Sequence, residues 1–597
     1  MNPAPKTQEP VDTPPASVAA KTRRRLQLHA IFSTQLSSGP SRIRLLALGF
    51  FILFGAITGK LIYLGMKGEA PQAVKSAAAD AISSARPDII DRNGDILATD
   101  TKVMSIFAEP KRIIDKDEAV ELLTAVLPDV NAKELRERID SKKGFVWIKR
   151  AVSDKERQEV FRLGLPGIGF MPEHKRIYPN GPLAAHVLGF TNIDNNGIAG
   201  IEKYIDGQGL ADLHGAGFRL TAEDLQPVQL SIDIKATHVL RDELETGMVK
   251  YRAKSCAGAI MDVNTGEVIA LTSLPDYDPN NPVDALDPNR INHAIVGVYE
   301  MGSTFKALTL AMAIDSGKAN INSRVDTRAQ MRYGRHTIHD YHAQNRVLTM
   351  PEVFYHSSNI GTARFALMVG VEGHKAFLRK AGQLDRMRTE LPESAEPIVP
   401  RNWGELSTVT IAFGHGLAVA PLQAEMAVAA LVNGGTLITP TFLKRSEAEA
   451  KRDAPVIIRP ETSESLRYLM RVNAEIGSAK KADIPGYFVG GKTGTAEKNF
   501  NGHYVHDRLF TTFMAIVPAD KPKYLFMVVY DEPQALPEDG GYKTAAYNSG
   551  VVTGNVIRRL APMLGLAPRL ELPTQPFPLL AHLGIGIKPQ APGTTPQ

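Results

Sequence analysis

The chain is expected to fold as a single N-terminal membrane-spanning helix, an α+β module and a larger α/β domain, and three observations predict this. First, residues 45–59 (LLALGFFILFGAITG) carry no charge and only Lys60 interrupts the run before Met66. Those 22 residues are about what a helix needs to cross a bilayer. Second, within 67–228 strand-like stretches (KVMSIFAEP, FVWIKRAV) mix with helix-like ones (DEAVELLTAVL, AKELRERI, DKERQEVFRLG), the pattern of an α+β module. Third, from about Val228 an alternating stretch at 229–234 precedes a helix-like one at 235–252. Two apolar runs then flank Asn264-Thr265-Gly266, a hairpin signal that opens an α/β domain.

The apolar run is expected to be an anchor because of its flank. Arg23, Arg24, Arg25, Arg42 and Arg44 precede it, a one-sided cluster that a buried core helix rarely carries, while Lys60 is placed to snorkel at the far end. By the positive-inside rule the N-terminus is cytoplasmic and everything from about residue 67 is extracytoplasmic, in the periplasm. No small-residue cleavage motif clearly follows, so the segment is expected to remain as a single-pass inner-membrane anchor.

Charge and composition exclude other classes. At 597 residues, 43% hydrophobic and 22% charged, the chain is too long for one core and too ordinary for a largely disordered or polytopic protein. Of the net +5, all lies in residues 1–44, where seven basic residues face Glu9 and Asp12; the rest carries 62 of each sign. That leaves no basic field to hold nucleic acid. The single cysteine, Cys256, allows neither an intrachain disulfide nor a cysteine-based zinc cluster. The expected order is a disordered tail at 1–41, the anchor at 42–66, a non-catalytic α+β domain at 67–228, the α/β domain at 229–566, and a Pro-rich tail at 567–597.

Three short stretches carry the chemistry. Gly302-Ser303-Thr304-Phe305-Lys306 opens an apolar, buried helix that stops at Ser316-Gly317. Ser303 and Lys306 stand three apart, on one face of its first turn, where burial and the positive helix end favour a neutral amine able to take the serine proton. Alone, the pair reads sooner as a capping serine and a solvated lysine, since Ser and Lys three apart occur by chance in most proteins. Ser357-Ser358-Asn359 and Lys492-Thr493-Gly494-Thr495, the latter at the end of the strand-like YFVGG, read singly as a turn and a loop. As an ordered set they are the active-site motifs of serine enzymes that bind penicillin.

On these motifs the chain resembles class B penicillin-binding proteins, most closely the FtsI-type division-septum peptidoglycan D,D-transpeptidases, over about residues 40–563. Further matching stretches are Asp91-Arg92-Asn93-Gly94, Arg176-Ile177-Tyr178-Pro179, Ala185-His186, Gly189-Phe190-Thr191-Asn192, Gly200-Ile201-Glu202-Lys203, the 262–268 hairpin and Phe413-Gly414-His415-Gly416. Met301 departs from the family's usual proline and is expected to loosen the turn into the helix without removing a catalytic group. Asn359 favours the division branch over the elongation branch.

The resemblance implies a transpeptidase domain with an antiparallel sheet and flanking helices on a pedestal, and a role for each residue. Ser303 is the nucleophile and Lys306 its base, with Ser357 and Lys492 passing the proton to the leaving amine. Asn359, Thr493, Gly494 and Thr495 bind substrate, the threonines beside Lys492 at the terminal carboxylate, and the backbone N–H groups of Ser303 and Thr495 form an oxyanion hole. The implied ligands are stem peptides of lipid-linked nascent peptidoglycan and β-lactam antibiotics. The implied partners are a septal glycosyltransferase and other divisome membrane proteins. The chemistry needs neither metal nor cofactor.

Rival readings fail on context. Residues 486–493 fit a P-loop pattern, but apolar residues fill its loop and no helix can follow it. His336, His339 and His342 surround Asp340 at spacings that suit a polar strand or loop near the active-site rim better than a metal site. A β-lactamase needs a deacylating glutamate that nothing marks, and a non-catalytic scaffold has no need to keep Ser303, Lys306, Ser357 and Lys492 together.

Overall fold

A computed structural model gives the structure of residues 39–66, 85–210, 225–334, 336–500 and 502–569. Most of the tails expected at 1–41 and 567–597, and the start of the expected pedestal, fall outside the described residues. The chain divides into two compact units, Met1–Asp80 and Ala81–Gln597. In the first, α1 (Gly39–Met66) is a helix of 28 residues with no acidic side chain. Among the described residues, which include only the side chains of 47–60 on this helix, no helix is long and apolar enough to cross a membrane.

The second unit begins with the α+β module. It contains β1 (Ile89–Ile90), β2 (Ile96–Ala108), α2 (Lys116–Val126), α3 (Ala132–Ile139), β3 (Val146–Val152), α4 (Asp154–Arg162) and β4 (Ile168–Ile177). Each helix starts where a short polar side chain accepts backbone N–H groups: Asp115, Asn131, and Ser153 in a reciprocal box with Glu156. The long β2 is the spine, pairing antiparallel with β1, β3 and β4. Ile106, Leu123, Leu135, Ile139 and Ile148 close a small core between this sheet and the helices.

A buried ion network ties the inner half of the module together. Glu202, on α5 (Gly200–Ile205), accepts from Arg86 Nε at 2.8 Å and from Arg176 Nε at 2.6 Å. Arg176 also donates to Asp100 at 3.1 Å and Arg86 to Asp206 at 2.6 Å. The Arg86, Arg176 and Glu202 side chains are all but inaccessible, so each charge depends on its partners.

The expected strand at 229–234 is shorter than expected and starts earlier. β5 (Val228–Gln229) runs parallel to β1 and belongs to the module's sheet. Asp233 then accepts from the N–H groups of Lys235 and Ala236, which turns the chain into α6 (Ile234–Lys250). The α/β domain holds an all-antiparallel five-stranded sheet in the order β8 (Gly490–Phe500), β9 (His503–Val517), β10 (Tyr524–Asp531), β6 (Ser255–Asp262), β7 (Val268–Leu274). The hairpin expected at Asn264-Thr265-Gly266 joins β6 to β7.

Helices cover both faces, so the strands read as near-continuous apolar runs. Ile260, Phe513, Phe526 and Val528 pack with α6 and α11 (Ser549–Met563), and Cys256 is buried in this layer as a free thiol. Met261, Met514, Leu525 and Met527 share the opposite core with α7 (Phe305–Asp315), α9 (Pro421–Val432) and α10 (Pro460–Ile476). That core extends without a break into the module through Ile89, Leu97, Val187 and Ile201. Polar contacts reinforce the joint: Gly200 N donates to Glu393, and the Tyr178 backbone exchanges two 2.9 Å bonds with the Asn280 side chain.

Removing the hub of the ion network tests its weight. Glu202→Ala leaves two buried guanidiniums without their shared anion and is expected to cost about 3–5 kcal/mol, read from urea unfolding midpoints.

Candidate active site

The three motifs converge where α7 starts, and backbone approach sets how closely. Gly302 to Thr304 form a 3₁₀ turn leading into α7. A Cβ at Gly494 would lie 2.4 Å from the Met301 carbonyl, and one at Gly414 would lie 1.9 Å from the Gly302 carbonyl. Only glycine lets strand β8 and the 413–416 loop touch the turn that carries Ser303. The turn is not loosened at Met301. That residue is fully buried, its carbonyl accepts from Thr304 Oγ1 at 2.8 Å, and Gly302 N donates to Gly414 O.

The Ser-Ser-Asn corner lies before α8 (Asn359–Val369). Ser357 has φ +56°, a left-handed conformation that costs a non-glycine residue energy and must be held by its surroundings. Ser358 caps α8 through Gly361 N at 2.9 Å. Asp340 clamps the corner: one carboxylate oxygen accepts from Ser358 Oγ at 2.7 Å and the other from Ile360 N at 2.9 Å. His339 O accepts from Asn359 Nδ2 at 3.0 Å.

Two buried lysines meet at one hydroxyl. Ser357 Oγ lies 3.0 Å from Lys306 Nζ and 3.0 Å from Lys492 Nζ. Lys306 also donates to Asn359 Oδ1 at 2.8 Å and to Ser357 O, and Lys492 donates to Thr493 O at 3.0 Å. Both amines are all but inaccessible. Burial, then the neighbouring Lys492 charge, pushes the Lys306 amine well below the usual lysine range, with Asp340 opposing. Burial pushes Lys492 down to about 7. A neutral Lys306 has a lone pair for the Ser357 proton, so a proton can pass among the three groups without crossing solvent.

Strand β8 brings the third motif. The K-T-G residues stand inside the strand rather than after it, because Gly490 and Gly491 pair with Ile516 and Ala515 and already belong to the ladder. Among the described residues β8 is an edge strand, bonded only to β9. Side chains of α10 hold its first carbonyls: Arg471 donates to Val489 O and Asn473 to Gly491 O, both at 2.7 Å. Thr493 Oγ1 lies 2.7 Å from Ser478 Oγ, and Thr495 Oγ1 accepts from Ala545 N at 3.1 Å.

The structure thus brings together Ser303, Lys306, Ser357, Asn359, Lys492, Thr493, Gly494 and Thr495, with one further difference from expectation. Among the described residues the Lys306 amine bonds Ser357 and Asn359 and makes no hydrogen bond to Ser303 Oγ. Asn359 has one lone pair and one amide proton taken up by Lys306 and His339, leaving one of each for a ligand. His336, at the start of a short strand (His336–Ile338) paired with Met331–Tyr333, and His342 are exposed, and among the described residues no three His, Cys, Asp or Glu side chains gather as metal ligands. Sequence reasoning missed Asp340, Asn473 and Ser478; a lone carboxylate in a histidine-rich loop and polar residues at a helix end carry no local pattern.

Comparison with known proteins gives the same outline. Residues 256–552 match the penicillin binding protein transpeptidase domain family, and residues 81–208 the penicillin-binding protein dimerisation domain family. The chain is 37% identical to the probable peptidoglycan D,D-transpeptidase FtsI of Caulobacter vibrioides, over 83% of this chain and 84% of that one. It is 30% identical to the peptidoglycan D,D-transpeptidase FtsI of Escherichia coli, over 82% and 86%. Among solved structures, penicillin binding protein 3 of Mycobacterium tuberculosis in complex with aztreonam superposes with a TM-score of 0.62 at 22% identity, covering 83% of this chain and all of that one; at that identity it speaks for the fold.

Asp340→Asn tests the clamp. It removes the anion that favours the Lys306 ammonium form, so the acid limb of the pH–rate profile for acylation of Ser303 by a labelled penicillin should move to lower pH. The rate itself should fall about tenfold or more as the Ser357 corner loosens. An unmoved acid limb would show that Asp340 does not act on Lys306.

Proposed function

The chain belongs to the penicillin-binding peptidoglycan D,D-transpeptidases, and from that premise we propose how its residues divide the reaction and where in the cell it runs. It is a serine-type enzyme that cross-links peptidoglycan stem peptides and is acylated by β-lactams. The observation that best supports the division of roles is the Ser357 hydroxyl, 3.0 Å from each of two buried lysine amines.

Ser303 Oγ attacks the carbonyl of the penultimate D-Ala while its proton passes to Lys306. The amide C–N bond breaks, the terminal D-Ala leaves with a proton delivered through Ser357, and an ester remains on Ser303. The amine of a second strand then attacks that ester, its proton returns by the same relay to the Ser303 oxygen, and the cross-link is formed. For Lys306 to reach Ser303, its amine exchanges one of its present contacts for the serine hydroxyl when substrate binds, a tightening that catalytic hydrogen bonds often show. Lys492, Thr493, Gly494 and Thr495 receive the terminal carboxylate, the Ser303 and Thr495 N–H groups the oxyanion, and Asn359 the peptide amide.

Residues 42–66 anchor the chain in the inner membrane with the N-terminus cytoplasmic and Ser303 periplasmic. The uncharged run at 45–59 with arginines on one flank supports this reading. Residues 67–228 serve as a pedestal toward a septal glycosyltransferase and other divisome membrane proteins.

A labelled penicillin tests the chemistry. Ser303→Ala should abolish labelling. Lys306→Arg keeps charge but cannot accept a proton and should lose ~10² to 10⁴-fold in acylation rate while remaining folded. Lys492→Arg should be milder. In the wild type, affinity for a carboxylate falls as pH rises through about 7 and Lys492 loses its charge; in Lys492→Arg that loss should disappear, because a guanidinium stays protonated. Near-normal acylation by folded Lys306→Arg would remove Lys306 as the base. For topology, a reporter active only outside the cytoplasm, fused after Gln597, should be active.

A further inference from the structure

Thr493 is a weak discriminator on its own. Its hydroxyl can donate to a carboxylate or accept from an amide or water with nearly equal ease, since a hydroxyl rotates to suit its partner. A site that must select a terminal carboxylate gains if that hydroxyl is already turned outward as a donor.

The surroundings of Thr493 supply such a bias. Asn473, fully buried in the last turn of α10, has its orientation fixed at both ends. Its Nδ2 donates to Gly491 O at 2.7 Å, so its Oδ1 is the acceptor for Ser478 N at 3.0 Å. Gly477 lies between them because a Cβ there would sit 2.2 Å from Asn473 Oδ1. Ser478 is thereby held with its Oγ 2.7 Å from Thr493 Oγ1 and 3.3 Å from Asn473 Oδ1. The Ser478 proton therefore has a short bond available toward Thr493 and a long one toward Asn473. Placed in the short bond, it occupies a lone pair of Thr493 and leaves the threonine proton free to point into the site. Reversing the chain, as a ligand that donates to Thr493 would require, sends the Ser478 proton into the longer bond.

We infer that Ser478 is a positioning residue that turns the Thr493 hydroxyl into a committed donor and so sets the preference for a ligand bearing a carboxylate over an uncharged counterpart. The chain of donation runs from Ser478 to Thr493 to the carboxylate, with Asn473 fixing the first hydroxyl. The inference rests on the assignment of Thr493 to the terminal carboxylate.

The test compares a labelled penicillin with its methyl ester on the full chain, reading the second-order rate of acylation at Ser303. Ser478→Ala should lower the carboxylate rate about tenfold, the order expected of a hydrogen bond serving a charged group, and change the ester rate by less than about threefold, so that the ratio falls. Ser478→Thr should restore the ratio, which recovery from general damage would not require, and melting curves confirm that both variants fold. In a Thr493→Val background, Ser478→Ala should have no further effect on the ratio, because Ser478 acts through Thr493. An unchanged ratio in Ser478→Ala, a loss shared equally by both ligands, or full additivity with Thr493→Val would each overturn the inference. If wild type failed to be acylated at Ser303 at all, the assigned function would fall instead, and the two failures are distinct.

Discussion

Two buried lysine amines share one serine hydroxyl, and the rest of the domain is arranged around that constraint. Lys306 and Lys492 are about 1% exposed or less and each lies 3.0 Å from Ser357 Oγ. Two ammonium groups at such a spacing repel each other, and burial penalises each charge separately. The favourable state leaves at least one of the two amines neutral, which is the condition for an amine to act as a base. Holding that state requires three pieces of backbone to be fixed independently: the left-handed Ser357, the turn at Gly302 to Thr304 and the edge strand through Lys492. The glycine approach of Gly494 to Met301, and the Asp340 clamp on Ser358 and Ile360, supply that fixing.

Much of this was legible in the sequence, because order and spacing reveal which residues meet even when they do not reveal how. Ser303, Lys306, Ser357 and Lys492 were identified from three motifs, and the strand and helix stretches of the 85–210 module followed from apolar period and caps such as Asp115, Asn131 and Ser153. What escaped is what depends on tertiary contact. Helical spacing pointed Lys306 at Ser303, but the amine has three acceptors across the cleft, on Ser357 and Asn359, and takes them. The sequence places the K-T-G run at the end of the strand-like YFVGG, whereas the strand begins only at Gly490 and Gly491, which are poor strand formers. Their pairing with Ile516 and Ala515, imposed by the neighbouring strand, overrides that propensity. Asp340 could not be singled out, since its importance comes from the buried corner it meets rather than from any neighbour in sequence.

The module and the α/β domain are less separable than their compositions suggest. A boundary near residue 228 is visible in the chain, yet β5 on that boundary pairs with β1, and one apolar core passes from Leu97 and Ile201 to Phe305 and Met527. The ion network around Glu202 stiffens the inner face of that junction, while the outer core around Leu123 and Ile148 is the module's own. A force applied to the inner half of the module therefore bears on packing that includes the first turn of α7, where the site begins.

The open side of β8 has a further implication. A strand with one unpaired edge is a template for any extended backbone, which makes it both a means of recognition and a route to unwanted association. Here the edge is rationed along its length. At its start, Arg471 and Asn473 occupy the carbonyls of Val489 and Gly491. At its far end the register with β9 shifts between Glu497 and Lys498, bending the ladder just past the motif, and the residues that follow include the charged Lys498. Between them, the backbone from Lys492 to Thr495 is itself occupied in part, by Lys492 Nζ at the Thr493 carbonyl and by the close approach of Gly494 to Met301. A long foreign strand therefore meets capped carbonyls at one end and a kink at the other, which discourages the sheet-to-sheet growth that an uninterrupted edge invites.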